Sequence, residues 1–100
     1  MIPKFEQDIP IAELNGKFYT PKGARRLVNW EPISDSLLIE RVRRRLAKVG
    51  NKTIYRLHEG YQHEITTSEI LKRMIDGDQE YLEAERKLLE HMRRLAHAES

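Results

Sequence analysis

The stretch from Asp35 to Val49 constrains the fold of this 100-residue chain more than any other. Ser34 or Asp35 can cap a helix there, and Gly50 stands where the left-handed residue that ends a helix is expected. At about 100° per residue, one arc of this helix is apolar and consists of Leu38, Ile39, Val42, Leu46 and Val49. The neighbouring arc is cationic and consists of Arg41, Arg44, Arg45 and Lys48. The pattern therefore predicts a helix with one buried face and one basic face.

Two glycine turns predict two β-hairpins. Asn15-Gly16 lies between short apolar runs, and Asn-Gly tolerates the positive φ angles of a type I′ turn. Glu59-Gly60 joins two runs, 53–58 and 61–66, that are rich in β-branched and aromatic residues. We expect a hairpin at each of these turns.

Cap signals predict three further helices. Thr20-Pro21 opens a short helix that extends to about Asn29 and ends before Pro32. Thr66 and Glu69 fit a capping box, which predicts a helix over about 67–75. The segment Asp76-Gly77-Asp78 interrupts that helix, and a long amphipathic helix then covers 79–97.

Together these elements predict one predominantly helical α+β domain over 1–100, with residues 1–8 as an extended arm. Its core is helix-turn-helix-like, with one or two hairpins and a long C-terminal helix. The order of short helix, basic helix and hairpin resembles a winged helix-turn-helix, and the general layout is similar to that of small excisionase-type and phage regulatory proteins. This resemblance implies that the second helix enters the major groove of DNA and that the hairpin touches the backbone.

The net charge of +2 conceals a strong segregation of charge along the chain. Residues 17–56 contain eleven basic and three acidic residues, a net charge of +8, and the rest of the chain has a net charge of −6. Cations spaced along one helix face can follow a phosphate backbone. The residues predicted to contact nucleic acid are Arg41, Arg44, Arg45 and Lys48, flanked by Arg25, Arg26, Lys52 and Arg56. Two alternatives remain open for this basic face, namely an acidic protein partner and internal pairing with the acidic C-terminal region.

The C-terminal helix carries an apolar stripe that can serve as a core face or as the seam of a homodimer. The candidate seam residues are Leu88, Leu89, Met92 and Leu95. Glu85 lies within the stripe, where an unpaired carboxylate would be costly. Either it pairs with an arginine across a subunit interface, or it occupies an edge position and reaches water. The second alternative is favoured because so wide a stripe need not be wholly buried.

Composition and motifs argue against several classes of protein. The chain has no cysteine, which excludes disulfides and thiolate chemistry and favours a reducing, cytoplasmic setting. No stretch is long and apolar enough for a membrane span. The four histidines lack a metal-ligand spacing, and no phosphate loop or serine elbow is present. We expect no cofactor, no metal and no enzymatic activity.

The sequence thus predicts a small DNA-binding regulatory or accessory protein that uses the basic helix. The alternative is a protein-interaction module, such as an inhibitor or adaptor. Such a module would dock its basic face on an acidic or nucleic-acid-binding surface of a larger protein.

Overall fold

The computed structural model describes residues 2–98 and confirms a predominantly helical α+β fold. A single 3-10 turn over Lys4–Glu6 precedes two short strands. The remaining elements, in chain order, are β1 (Ala12–Leu14), β2 (Lys17–Tyr19), α1 (Pro21–Ala24), α2 (Asp35–Val49), β3 (Thr53–His58), β4 (Tyr61–Thr66), α3 (Thr67–Ile75) and α4 (Gln79–Ala98).

Both predicted hairpins are confirmed. β1 pairs with β2 and β3 pairs with β4, each in antiparallel register. Asn15 and Gly16 have φ angles of 52° and 79°, and Glu59 and Gly60 have φ angles of 52° and 82°. Two successive positive φ angles are what a two-residue type I′ turn requires, which explains why a glycine occupies the second position of each turn.

The helix caps also form as predicted, which fixes the starts of α2 and α3. The Ser34 hydroxyl accepts a hydrogen bond from the Leu37 amide at 3.1 Å. At the start of α3, the Thr66 hydroxyl accepts from the Glu69 amide at 3.3 Å and donates to the Glu69 carboxylate at 3.0 Å. The bonds from the Leu37 and Glu69 amides satisfy donors that have no partner within the helix.

Two predicted segments differ from the structure. The first helix ends at Ala24 instead of Asn29, because the Arg26 and Leu27 amides bond to carbonyls three residues back, and the chain then leaves the helix. The N-terminal segment is not an extended arm. It forms the 3-10 turn and buries Ile2 and Glu6 against the rest of the molecule, since an apolar side chain and a paired carboxylate anchor it there.

The core surrounds α2, which contacts both α3 and α4. Its buried apolar residues include Leu37, Leu38 and Val42 of α2, Met74 of α3, and Leu82, Leu89, Met92 and Ala96 of α4. The hairpin β3–β4 lies largely outside this core, because Ile65 is its one buried side chain among those that the structure describes. The molecule thus consists of a helical core with a two-stranded projection.

Candidate interaction surfaces

Two arginines of α2 and two distant glutamates form a buried ionic cluster, which we call the arginine–glutamate cluster (Arg41, Arg45, Glu6 and Glu85). Arg41 donates from Nε to Glu85 Oε2, from Nη2 to Glu6 Oε2 and from Nη1 to the Pro10 carbonyl, each at 2.9 Å. Arg45 donates to the two carboxylate oxygens of Glu85 at 3.0 and 3.1 Å. The cluster ties the N-terminal turn, α2 and α4 together.

Mutual compensation keeps the charges of this cluster in place. Burial by itself would raise the pKa of Glu85, but the hydrogen bonds from Arg45 and the charges of Arg45 and Arg41 outweigh it and hold this pKa below its ordinary value. Burial would lower the pKa of Arg45, but the hydrogen bond to Glu85 and the charges of Glu85 and Glu6 raise it. Two cations therefore face two carboxylates, so the cluster is neutral as a unit.

The favoured expectation for Glu85, an edge position in contact with water, is wrong. Glu85 is 8% exposed, and its partners are Arg41 and Arg45 of the same chain. An arginine partner was the other alternative, although it was expected across a subunit interface. The partner comes from α2 because the buried arc of that helix includes Arg41 beside Leu37, Leu38 and Val42.

The four cations predicted to form one basic face lie in different environments. Arg41 is fully buried, so a phosphate cannot reach it, and Arg45 is three-quarters buried and directed at Glu85. The Lys48 ammonium contacts the Asp8 carboxylate at the surface. Arg44 is exposed, with its Nε 3.3 Å from Glu40. The structure therefore places half of the predicted face inside the arginine–glutamate cluster.

The predicted flanking cations lie at or near the surface. Arg25 and Arg26 follow α1 and are exposed, and Lys52 is exposed at the base of the β3–β4 hairpin. The guanidinium of Arg56 lies 4.7 Å from the centre of the Tyr81 ring and 3.5 Å from Glu80. Arg56 is therefore directed towards α4.

The apolar stripe of α4 packs within the chain. Leu89 and Met92, two of the four residues predicted at a dimer seam, are buried in the core. Leu88 and Leu95 are half-buried and pack against the same core. The described residues therefore use this stripe as a core face.

The β3–β4 hairpin instead presents large apolar side chains to solvent. Tyr55, Leu57 and Tyr61, which we call the hairpin surface, are 59%, 78% and 73% exposed. Ile54 and Arg56 line an indentation beside α4, so the alternating residues Tyr55 and Leu57 lie on the opposite face of the strand. Tyr61 pairs with His58 and therefore lies on the same face as Ile54 and Arg56, so the exposed apolar side chains occupy both faces of the hairpin. Large apolar side chains exposed on a single element are typical of a binding site.

Sequence reasoning did not identify the hairpin surface because aromatic residues in a small domain usually anchor the core. A signal was nevertheless present. β3 carries apolar residues at consecutive positions, which places them on both of its faces. Helix α4 lies beside the face that carries Ile54 and Arg56, so Tyr55 and Leu57 are left outside on the other face, next to Glu64 and Gln62.

Within the described part of the chain, no three His, Cys, Asp or Glu side chains come together in a way that could hold a metal ion. None of the helices over residues 2–98 has the length and apolar character that crossing a membrane requires.

The architecture defines a small helical α+β domain with a buried ionic centre and a projecting hairpin that exposes large apolar side chains. Comparison of the chain with protein-family models, with curated proteins and with solved structures found no match in any of the three.

Proposed function

We propose that the protein is a protein-interaction module that acts by binding rather than by catalysis and that docks through its hairpin surface. The observation that carries this proposal is the exposure of Tyr55, Leu57 and Tyr61 on one projecting element. Tyrosine supplies a large contact area at a low entropic cost, and such residues are enriched where interfaces gain most of their affinity. The absence of cysteine is consistent with action in the cytoplasm.

The charge of the hairpin favours a protein partner over a polyanion. Residues 51–66 contain two basic residues, Lys52 and Arg56, and two acidic residues, Glu59 and Glu64. A surface that binds a phosphate backbone carries an excess of cations, because neutralising phosphates supplies most of the affinity. The hairpin has no such excess, so its recognition rests on apolar contact.

The topology of the hairpin favours an extended segment of the partner as the bound element. Within residues 2–98, β3 and β4 pair only with each other, so each strand keeps one edge that no strand covers. A partner segment can add to such an edge through backbone hydrogen bonds. Its apolar side chains would then lie over Tyr55 and Leu57.

Site-specific photocrosslinking in cells tests this proposal. A photoreactive phenylalanine derivative is placed at Tyr55 or Leu57, and the matched control places it at Glu90, an exposed residue of α4. We expect a discrete protein adduct from the two hairpin positions and none from Glu90. With the purified partner, Leu57→Ser should weaken binding about tenfold or more, because truncating a central apolar contact costs at least about 1–2 kcal/mol.

The salt dependence of binding separates a protein partner from a nucleic acid. Apolar docking should change less than about threefold in affinity between 50 and 200 mM salt, whereas contact with six or more phosphates would cost roughly a thousandfold. Adducts with nucleic acid from the hairpin positions, or equal adducts from Glu90, would refute the proposal.

Binding to DNA is the second candidate function, and one observation favours it. Arg43 and Arg44 extend from the outer face of α2, with more than two-fifths of each side chain exposed, and the chain then enters the hairpin. This order of helix and hairpin is that of a winged helix. Arg44, Lys48, Arg26 and Lys52 would then contact phosphates from the surface.

Fluorescence anisotropy with labelled duplex DNA tests the second candidate. Salt-sensitive binding that is lost in the double variant Arg43→Ala/Arg44→Ala would support it. The matched control is Arg94→Ala, which removes an exposed cation from α4. Absence of binding at 50 mM salt, or an equal loss in the control, would eliminate this candidate.

A further inference from the structure

A cleft lies on the molecule between the segment after α1 and the last turns of α4, away from the surfaces discussed above. It has a volume of about 420 Å³, and its walls include Arg25, Leu27, Val28, Trp30 and Arg93. Clefts that hold small ligands begin at roughly 300 Å³. The cleft is therefore large enough for a small organic molecule.

The walls of the cleft are cationic and apolar. They contain Arg25, Arg93 and His97, whereas Asp and Glu are absent from its lining within the described residues. Leu27 and Val28 supply an apolar side, and Val28 is 95% exposed at the rim. In a chain with sixteen acidic residues, two arginines without a carboxylate among the described lining residues favour an anionic ligand.

Arg93 differs from the arginines of the arginine–glutamate cluster because, among the described residues, only backbone carbonyls accept its hydrogen bonds. Its Nε donates to the Ile11 carbonyl at 2.8 Å, and its Nη1 donates to the Glu31 carbonyl at 3.3 Å. Its Nη2 is buried and makes no hydrogen bond to any residue from 2 to 98. Burial and the charge of Arg41 lower the pKa of Arg93. No carboxylate among the described residues pairs with the Arg93 guanidinium, so an anion bound beside it would neutralise its charge.

Trp30 forms a fixed aromatic wall of the cleft. Its indole Nε1 donates to the Ala24 carbonyl at 3.0 Å, and its ring stacks on His97 with the ring centres 4.4 Å apart. The Arg93 guanidinium lies 5.4 Å from the centre of the same ring. An apolar ligand body can therefore pack beside Trp30 while its charged group lies near Arg93.

We propose that this cleft binds a small organic anion, with its carboxylate or phosphate group beside Arg93 and its apolar body against Trp30, Leu27 and Val28. This site is independent of the hairpin surface. It would give the protein a small-molecule ligand in addition to its macromolecular partner.

Tryptophan fluorescence tests the proposal directly because Trp30 is the single tryptophan of the chain. The full chain is titrated with benzoate, with phenyl phosphate and with the neutral compound benzyl alcohol. We expect a saturable change with at least one of the two acids, with a Kd of about 1 mM or tighter, which is a reasonable affinity for ligands of this size. The acid that binds more tightly identifies the preferred charged group. Benzyl alcohol should bind at least tenfold more weakly.

Substitutions at the exposed rim keep the test independent of folding. Val28→Asp places a carboxylate at the mouth of the cleft and should bind the acid about tenfold or more weakly than the matched neutral variant Val28→Asn, which loses the same apolar contact without adding a charge. Arg93→Gln should abolish binding, and circular dichroism checks that this variant folds. Lack of saturation with both acids, equal affinity for benzyl alcohol, or equal affinities of the two Val28 variants would overturn the proposal.

Discussion

Helix α2 and the β3–β4 hairpin both depart from the usual distribution of polar and apolar residues. Helix α2 buries charged side chains, whereas the hairpin exposes apolar side chains. In α2, Arg41 lies in the core and Arg45 is mostly buried, both paired with Glu6 and Glu85. In the hairpin, Tyr55 and Leu57 lie in solvent. A buried charge requires partners, and an exposed apolar cluster usually has an interaction role. Arg41 and Arg45 are therefore structural, and the exposed hairpin is the better candidate for contact with a partner.

The comparison also explains the segregation of charge along the chain. The basic middle is neutralised in part by carboxylates from both ends, with Glu6 and Asp8 on one side and Glu85 on the other. Sequence-distant segments are thereby held to α2 by directed, charge-assisted hydrogen bonds. The charge pattern thus contributes to the fold as well as to the surface.

The largest expected effect follows from removing one carboxylate of the arginine–glutamate cluster. Glu85→Ala removes a carboxylate partner from the buried Arg41 and from the mostly buried Arg45. This change should lower the free energy of unfolding by about 3–5 kcal/mol. Urea denaturation measures this loss. The matched control is Glu83→Ala on the exposed side of α4, where the change should stay below about 0.5 kcal/mol. Similar losses in the two variants would contradict the structural role of Glu85.

Acid should weaken the same cluster. The pKa of Glu85 is lowered in the folded protein, whereas its value in the unfolded chain is about 4.3. The stabilisation from this group is therefore fully present above about pH 4.3 and is lost as the pH falls through the lower folded pKa. We expect the gap in unfolding free energy between the wild type and Glu85→Gln to narrow below about pH 4. A gap that is constant from pH 7 to pH 3 would contradict this assignment.

Shortening the hairpin should cost far less than breaking the cluster. Ile54 pairs with Ile65, so residues 55–64 can be replaced by Asn-Gly to give a two-residue turn between them. We expect cooperative unfolding to persist with a loss of about 1 kcal/mol, because this variant removes the contacts of Arg56 with Glu80 and Tyr81. Thermal and urea denaturation provide the measurement. A global loss of structure would show that the hairpin belongs to the core.

The smallest expected effect on stability belongs to the hairpin surface. Leu57→Ser changes an exposed side chain and should alter the free energy of unfolding by less than about 0.5 kcal/mol, while it weakens partner binding. Denaturation and binding are measured on the same preparation. A loss of stability as large as that of Glu85→Ala would place Leu57 in the fold instead of an interface.

Local signals in the sequence were sufficient to predict most of the secondary structure. The Asn-Gly and Glu-Gly turns, the Ser34 cap and the Thr66 capping box depend on residues within a few positions of one another, and all four form as expected. The fate of Arg41 depends on Glu6 and Glu85, which lie 35 and 44 residues away. At about 100° per residue Arg41 lies within the basic arc, next to Leu37, and tertiary contacts turn this side of the helix towards the core.

A double-mutant cycle between Arg41 and Glu85 tests the central claim most directly. The variants Arg41→Met, Glu85→Gln and their combination are compared with the wild type by urea denaturation at neutral pH. We predict that each single variant lowers the free energy of unfolding by about 3 kcal/mol or more. The double variant should lose about 2 kcal/mol less than the sum of the two single losses, because the two groups are each other's buried partners. Losses that are small and additive to within about 0.5 kcal/mol would contradict a buried ionic centre and would indicate that Arg41 lies at the surface.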